Sequence, residues 1–244
     1  MTDTVQSKFD ELAPRYSAKY DRPRDILAFE KQRRMDLLLE FAVTLKPAAV
    51  LDAGCGSGVA LSQLHTRLPD ARLLGVDLSF MMLREAKTDN ASGTPFIQSV
   101  VEKFPFADNS FDLVYALGVV DYVDNPAGFF ADVRRILKPG GYFVFTYPNG
   151  DSIVRKLRKY LQDRLSRAGS SVTAKPLNRI AVDALIDAMP GELRESCFIT
   201  YGNGVFNFPW SVATSRMMEQ WSNNRRLSRY LAWSCFCVVQ ETGG

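Results

Sequence analysis

The run Val50-Leu51-Asp52-Ala53-Gly54-Cys55-Gly56-Ser57-Gly58 constrains this chain more than any other stretch. The apolar residues from Ala48 to Leu51 read as a short buried strand. The strand ends in an acid. The loop behind it carries glycine at every second position, and a helix then begins. Glycine takes positive φ without steric cost and lets the backbone come close to a ligand. The helix start leaves unpaired N–H groups facing the same loop. A strand, a glycyl bend and a helix start in that order read as a grip for a nucleotide-like ligand.

The spacing narrows the choice. The dinucleotide fingerprint G-x-G-x-x-G would need glycine at position 59, which is Val59. Here the pattern is G-x-G-x-G preceded by an acid. That run resembles the signature of the class I S-adenosylmethionine (SAM)-dependent methyltransferases, close to V-L-D-x-G-C-G-x-G. The match extends to the segment from Val101 to Asp112, which follows the pattern A-E-x-L-P-F-x-D-x-S-F-D. It also extends to Phe9, Ala13 and Tyr16, which fit an F-x3-A-x2-Y opening. The chain is similar to the small-molecule members of the methyltransferase type 11 group, akin to enzymes of ubiquinone biosynthesis. The resemblance covers Phe9 to Tyr147 and implies a SAM-dependent methyltransferase.

The alternation of strands and helices supports a fold of the same kind. Strands are expected over Ala48–Leu51, Arg72–Asp77, Pro95–Val101, Phe111–Leu117 and Tyr142–Tyr147. Helices fall between them, over Val59–Leu68, Met81–Lys87 and Ala127–Leu137. Lys138-Pro139-Gly140-Gly141 reads as a helix stop and turn. Such an order predicts an α/β architecture with a mostly parallel sheet covered on both faces. Ligands then sit beyond the carboxyl ends of the strands. Strand-like segments return over Leu193–Thr200 and Leu231–Val239. The resembled fold is a Rossmann-like sheet of seven strands with the last one antiparallel. Residues 1–46 read as an N-terminal helical cap, with Met35, Leu38, Phe41 and Leu45 on one face. Residues 47–148 form the core, 149–190 a helical insertion or lid, and 191–244 the strands that complete the core.

Composition bounds the setting. The 244 residues, 46% hydrophobic and 23% charged, suit a soluble domain with an elaboration. A net charge of +3 is too mild to imply nucleic acid. The four cysteines show neither metal-ligand spacing nor a disulfide framework. A reducing, cytoplasmic setting is the expectation. The first ten residues mix charged and polar types, so no secretory leader is expected there. The uncharged stretch Ser196–Ser215 contains Gly202, Asn203, Gly204, Asn207 and Pro209, so no integral membrane segment is expected. A monomer or homodimer is expected.

The resemblance assigns the cofactor residues. Gly54, Gly56 and Gly58 would wrap the methionine half of SAM, and Asp52 would hold its ammonium. Asp52 as a helix cap is the bland alternative. Asp77 ends the second strand, where an acid accepts hydrogen bonds from both ribose hydroxyls, as in dinucleotide folds. Its bland alternative is again a cap. Leu78 and Met82 would pack near the adenine. Val101 and Glu102 would frame its edge, with the Val101 N–H as donor. Relatives often carry an acid where this chain has Val100. Leu117, at the end of the fourth strand, would floor the methionine pocket. Tyr16 would close over the cofactor, with Tyr20 as a second candidate. Arg34 would meet the cofactor carboxylate through a two-pronged hydrogen bond; a solvated helix charge is the alternative.

No metal is implied. The single histidine, His65, reads as part of a solvated helix face rather than a base. Asp121 and Tyr122 follow the fourth strand where relatives place residues facing the acceptor. Asp121 reads equally as a general base and as a cap for the helix after Pro126. Tyr147, at the end of the fifth strand, is a candidate for the acceptor pocket.

Residues 151–167 have amphipathic helical spacing with many basic residues. A lid over the acceptor, a plain surface helix and a peripheral membrane contact compete there. Phe206, Phe208 and Trp210 alternate, which suits either a core strand or the wall of an apolar acceptor pocket. The reading is methyl transfer to a small hydrophobic or aromatic acceptor, with O-methylation favoured over N- or C-methylation. A non-catalytic SAM-binding sensor or scaffold is the alternative, and a nucleic-acid methyltransferase a further one. Neither an N-P-P-Y-like motif nor an RNA-binding module is present to support the latter.

Overall fold

A computed structural model of the chain describes residues 2–16, 26–88, 93–153, 155–157, 160, 164, 177–189, 191–200, 230 and 232–242. Tyr20 and the aromatic stretch Val205–Trp210 lie outside the described residues.

The chain opens with helix α1 (Thr2–Leu12), a 3₁₀ turn at Ala13–Arg15, and helix α2 (Ile26–Leu45). Strand β1 (Ala49–Ala53) leads into α3 (Val59–Arg67), and β2 (Arg72–Asp77) into α4 (Phe80–Thr88). Then come β3 (Phe96–Gln98), β4 (Phe111–Ala116), α5 (Pro126–Ile136) and β5 (Leu137–Pro148). Helix α6 (Arg179–Asp187) precedes β6 (Gly191–Thr200) and β7 (Ala232–Glu241).

The sheet order is β3-β2-β1-β4-β5-β7-β6. The first five strands are mutually parallel, and β7 runs antiparallel to both β5 and β6. Strand order turns at β1, so the connections that leave the paired strands β1 and β4 part to opposite sides and open a crevice at their carboxyl ends. All five residues of β1 are buried, as expected for a parallel strand covered on both faces.

One face carries an aromatic stack. Phe130 meets Phe143 and Phe145 edge-on at 5.3 and 5.1 Å, and Phe145 stacks with Tyr147 at 6.2 Å. Each such pair contributes about 0.5–1.5 kcal/mol beyond burial. The other face packs α2 and α3, through Met35, Leu38, Leu39, Ala42, Leu61 and Leu64. The first four follow i, i+3, i+4 and i+7, the stripe of a helix resting on a sheet. Phe41 and Leu45 pack at its margin, partly buried.

Two sequence expectations need correction. The third strand is shorter than Pro95–Val101, because β2 ends at Asp77 and supplies no further partner. Gln98 pairs with Asp77, and Ser99 N–H still reaches the Asp77 carbonyl at 3.1 Å before the chain turns away. Lys138–Gly141 is a bulge within β5 rather than a free turn. Leu137 pairs with Phe111 and Tyr142 with Leu113, so four residues stand opposite Asp112. Lys138 Nζ donates to Asp112 Oδ1 at 2.7 Å, which closes the bulge.

Residues 153, 155–157, 160 and 164 are helical, within the expected amphipathic segment. Ile153, Leu157 and Tyr160 on it are exposed. Among the described residues, no helix is long and apolar enough to cross a membrane.

Candidate cofactor and acceptor site

The glycine loop folds back over the β2 tip. Gly54 and Cys55 donate their N–H groups to the Val76 carbonyl at 2.8 and 2.9 Å. Gly54 has φ +87°, and a Cβ there would collide with Cγ2 of Val119. The Val119 side chain fills the space a Cβ would need. Gly58, at φ +75°, starts α3. A Cβ on it would press against Phe96 and Ala86 at 3.1 and 3.3 Å. Gly58 therefore packs α3 closely against its neighbours, and it lines neither the cleft nor the recess described below.

Asp77 organises the loop. Its Oδ2 accepts the Gly56 N–H and its Oδ1 the Ser79 N–H, each at 2.8 Å. Ser79 is fully buried, and its hydroxyl caps α4 by accepting from Met82 N–H at 3.1 Å. Burial drives the Asp77 pKa up, and its backbone hydrogen bonds only partly offset this. Asp52 is buried too. Desolvation raises its pKa well above the ordinary carboxylate range; the neighbouring Tyr115 hydroxyl lowers it and the Asp77 charge raises it further. Asp52 is not a helix cap, because α3 starts at Gly58 with no side-chain cap.

These elements enclose a cleft of about 730 Å³, counting the part open to solvent. Of the sequence candidates, Tyr16, Gly54, Gly56, Asp77, Leu78, Met82, Val101, Glu102, Leu117 and Tyr122 all line it. A smaller recess shares Tyr16, Gly54 and Leu117 with the cleft and adds Asp52, Ser57 and Tyr115. The Ser57 Oγ there is buried without a hydrogen-bond partner. Tyr16 lies over the glycine loop: a Cβ on Gly56 would come 3.3 Å from its ring.

The adenine-side candidates are held from outside. Glu102 Oε1 accepts the Asp124 N–H at 3.1 Å. Arg135 binds the carbonyls of Phe104 and Phe106 at 3.0 and 2.6 Å. It also pairs with Asp132 at 2.7 Å, and Asp132 takes the Phe104 N–H. The loop that carries Val101 and Glu102 is thereby fixed to α5.

The remaining candidates stand behind the cleft wall. Arg34 packs beneath Gly118, donates to Thr146 Oγ1 at 3.3 Å and pairs with Glu30 at 3.7 Å. Thr146 Oγ1 also accepts the Gly118 N–H at 2.8 Å. Arg34 is thus neither a solvated helix charge nor a cleft-lining group. Asp121 is buried, and its Oδ1 has no hydrogen-bond partner. Burial pushes its pKa up to about 6; its own backbone N–H and Arg34 pull down, and Glu30 pushes up. Asp121 does not cap α5, because Asn125 does so through Gly128 N–H at 3.0 Å. Tyr147 is buried in the aromatic stack and lines neither cavity. His65 faces a separate groove at the amino ends of the strands.

Sequence reasoning missed Val5, Val119 and Val123, which also line the cleft. It also missed Asp10 and Thr146. Their partners are far along the chain, so no local pattern marks them.

Comparison with known proteins decides the family. Residues 51–145 match the profile described as a methyltransferase domain. A demethylmenaquinone methyltransferase of Renibacterium salmoninarum is 30% identical over 194 residues, 78% of this chain and 79% of the relative. The chain belongs to the class I SAM-dependent methyltransferases. A malonyl-[acyl-carrier protein] O-methyltransferase of Enterobacter lignolyticus is also 30% identical, over 77% of this chain and 69% of the relative. The chain spans about half the length of several other curated relatives it matches. Among solved structures, the [4+2]-cyclase SpnF aligns with TM-score 0.68 at 16% identity, over 98% of this chain and 96% of that one. That likeness shows the shared fold. Among the described residues, no group of His, Cys, Asp and Glu could hold a metal ion.

Proposed function

We propose that this methyltransferase binds SAM in the cleft and recess and transfers its methyl group to a small hydrophobic or aromatic acceptor, an oxygen atom being the favoured target. One observation carries the reading. Two buried carboxylates, Asp52 and Asp77, flank the glycine loop with their pKa values raised by desolvation. Among the described residues neither has a salt-bridge partner. Buried acids of this kind are stabilised by a cation, and SAM carries an ammonium and a sulfonium. The orphan Ser57 hydroxyl in the same recess offers a polar partner for the aminoacyl end.

In this reading Asp77 takes the ribose hydroxyls while it holds Gly56. Asp52 faces the ammonium, Leu78 and Met82 cover one adenine face, and Val101 and Glu102 frame its edge. Tyr16 closes the loop side. Arg34, behind Gly118, supports the carboxylate end through the wall it braces.

When bound, SAM supplies the electrophilic methyl group; the protein supplies position and electrostatics. Alignment of donor and acceptor can supply several kcal/mol, up to about 7–11. Tyr122 faces the cleft and has its pKa pushed up to about 12 by burial and by Asp121. It therefore stays protonated and orients an acceptor oxygen by hydrogen bonding. Asp121 stands behind the cleft wall beside Tyr122; as the proton acceptor it would act through Tyr122 rather than by touching the acceptor, and its pKa, pushed up to about 6 by burial, suits that role near neutral pH.

The two relatives at 30% identity are a malonyl-[acyl-carrier protein] O-methyltransferase and a demethylmenaquinone methyltransferase, and by likeness to them a carboxylic acid or a quinone-type ring is a candidate acceptor here. The test is a screen of carboxylic acids, phenols and quinols with methyl-labelled SAM. Labelled product in the presence of one such acceptor supports the reading. SAM binding with no transfer to any acceptor supports the sensor alternative.

A further inference from the structure

We propose that Asp10 is a positioning residue that ties α1 down as the roof of the cleft, so that roof closure and SAM retention form one equilibrium. The proposal rests on the reading of the cleft as a SAM site.

The tie is specific. Asp10 Oδ1 accepts the Ser79 hydroxyl at 2.5 Å and the Met81 N–H at 3.2 Å. Ser79 in turn gives its N–H to Asp77, which holds Gly56. A continuous chain of hydrogen bonds thus joins the roof, the α4 start, the ribose acid and the glycine loop. The position also favours a carboxylate electrostatically, because the free N–H groups at a helix start attract negative charge.

A second attachment is made by the two residues before Asp10. The Phe9 ring meets Tyr122 edge-on at 5.2 Å, and Lys8 Nζ lies 3.5 Å from the Tyr122 hydroxyl. Phe9 lines the cleft, and so does Val5 one turn earlier on α1. Val5 is buried but belongs to neither core cluster. The 11-residue α1 therefore rests on the cleft and its rim rather than on the core. A helix that short is marginal on its own in water. Its place depends on these few attachments, and segments of that kind open locally at low cost.

If ligand is retained only under a closed roof, the apparent affinity scales with the closed fraction. Releasing Asp10 then weakens retention without touching the core. The geometry also separates hydrogen bonding from charge: an asparagine Oδ1 accepts the same two bonds.

The experiment is SAM titration by calorimetry and SAM dissociation by stopped flow on wild type, Asp10→Ala, Asp10→Asn and Glu11→Gln. Glu11 is the exposed neighbour and serves as control. Asp10→Ala is expected to bind about tenfold more weakly, through faster dissociation. Asp10→Asn is expected within about threefold of wild type and Glu11→Gln to be unchanged. The ligand-free melting temperature should not move. SAM should protect α1 amides from hydrogen exchange in wild type and much less in Asp10→Ala. Wild-type affinity in Asp10→Ala overturns the proposal, as does a loss matched by a lower ligand-free melting temperature. A wild-type chain that binds no SAM overturns the reading of the cleft, and this proposal with it.

Discussion

Asp77 Oδ2 and Gly56 N–H share a 2.8 Å hydrogen bond that ties the acid at the end of β2 to the middle of the glycine loop. The carboxylate proposed to take the ribose also sets the shape of the loop. Replacement of Asp77 therefore removes a ligand contact and a loop support at once. Asp77→Ala is expected to weaken SAM binding by roughly 100-fold, equivalent to about 2.7 kcal/mol. Calorimetry on the variant checks this, and an unchanged affinity would remove Asp77 from the ribose role.

Binding of a cation beside Asp52 and Asp77 has a pH signature. Burial raises both pKa values in the free protein, and a bound cation favours the ionised forms. SAM binding is therefore expected to release protons and to weaken as pH falls. Titrations in buffers of different ionisation enthalpy, from about pH 5 to about pH 8, measure the release directly. Proton uptake on binding would reverse the sign and contradict the electrostatic account.

Asp121 offers a separate titration. Its pKa is about 6 in the folded chain against 3.8 for an ordinary aspartate. The folded state thus holds the proton more tightly. The associated stability is present below about pH 4 and is lost as pH rises through about 6. Asp121→Asn, which cannot ionise, is expected to be more stable than wild type at neutral pH, by at most about 3 kcal/mol. The difference should vanish near pH 4. If Asp121 also accepts the acceptor's proton, the same variant loses about 10²–10⁴-fold in transfer rate. Denaturant unfolding across pH, paired with transfer assays, tests both effects.

The loop itself predicts a coupled pair. Gly54→Ala forces a side chain into φ +87° and against Val119. It is expected to cost about 2–4 kcal/mol, from backbone strain and overpacking together. Val119→Ala removes the methyl group in the way but leaves the strain. The double variant should recover part of the loss, and purely additive losses in the unfolding free energies would contradict the contact.

The alternation of short apolar runs with helices was enough to place β1, β2, β4 and β5, because parallel strands buried on both faces need such runs. The tip of β2 carried its own signal: an acid about twenty residues past a glycine loop has a known use, and the geometry puts Asp77 on that loop. Local signals misled where tertiary pairing took over. Lys138-Pro139-Gly140-Gly141 has the composition of a turn, yet the sheet absorbs it as a bulge held by Asp112. Tyr147 sits at a strand end, as an acceptor-facing residue would, but the phenylalanine stack claims it. Asp10 and Thr146 were silent for a different reason. Their roles come from partners on α4 and from Arg34 and Gly118, and a single chain read in order shows none of those meetings.

The central claim is that the cleft recognises an adenosyl sulfonium rather than a dinucleotide. Titration of the wild-type protein with SAM, its demethylated product and NAD tests it most directly. The account predicts saturable one-to-one binding of SAM and of the product, with no heat from NAD beyond dilution. Binding of NAD in place of SAM, or no binding of SAM at all, would contradict it.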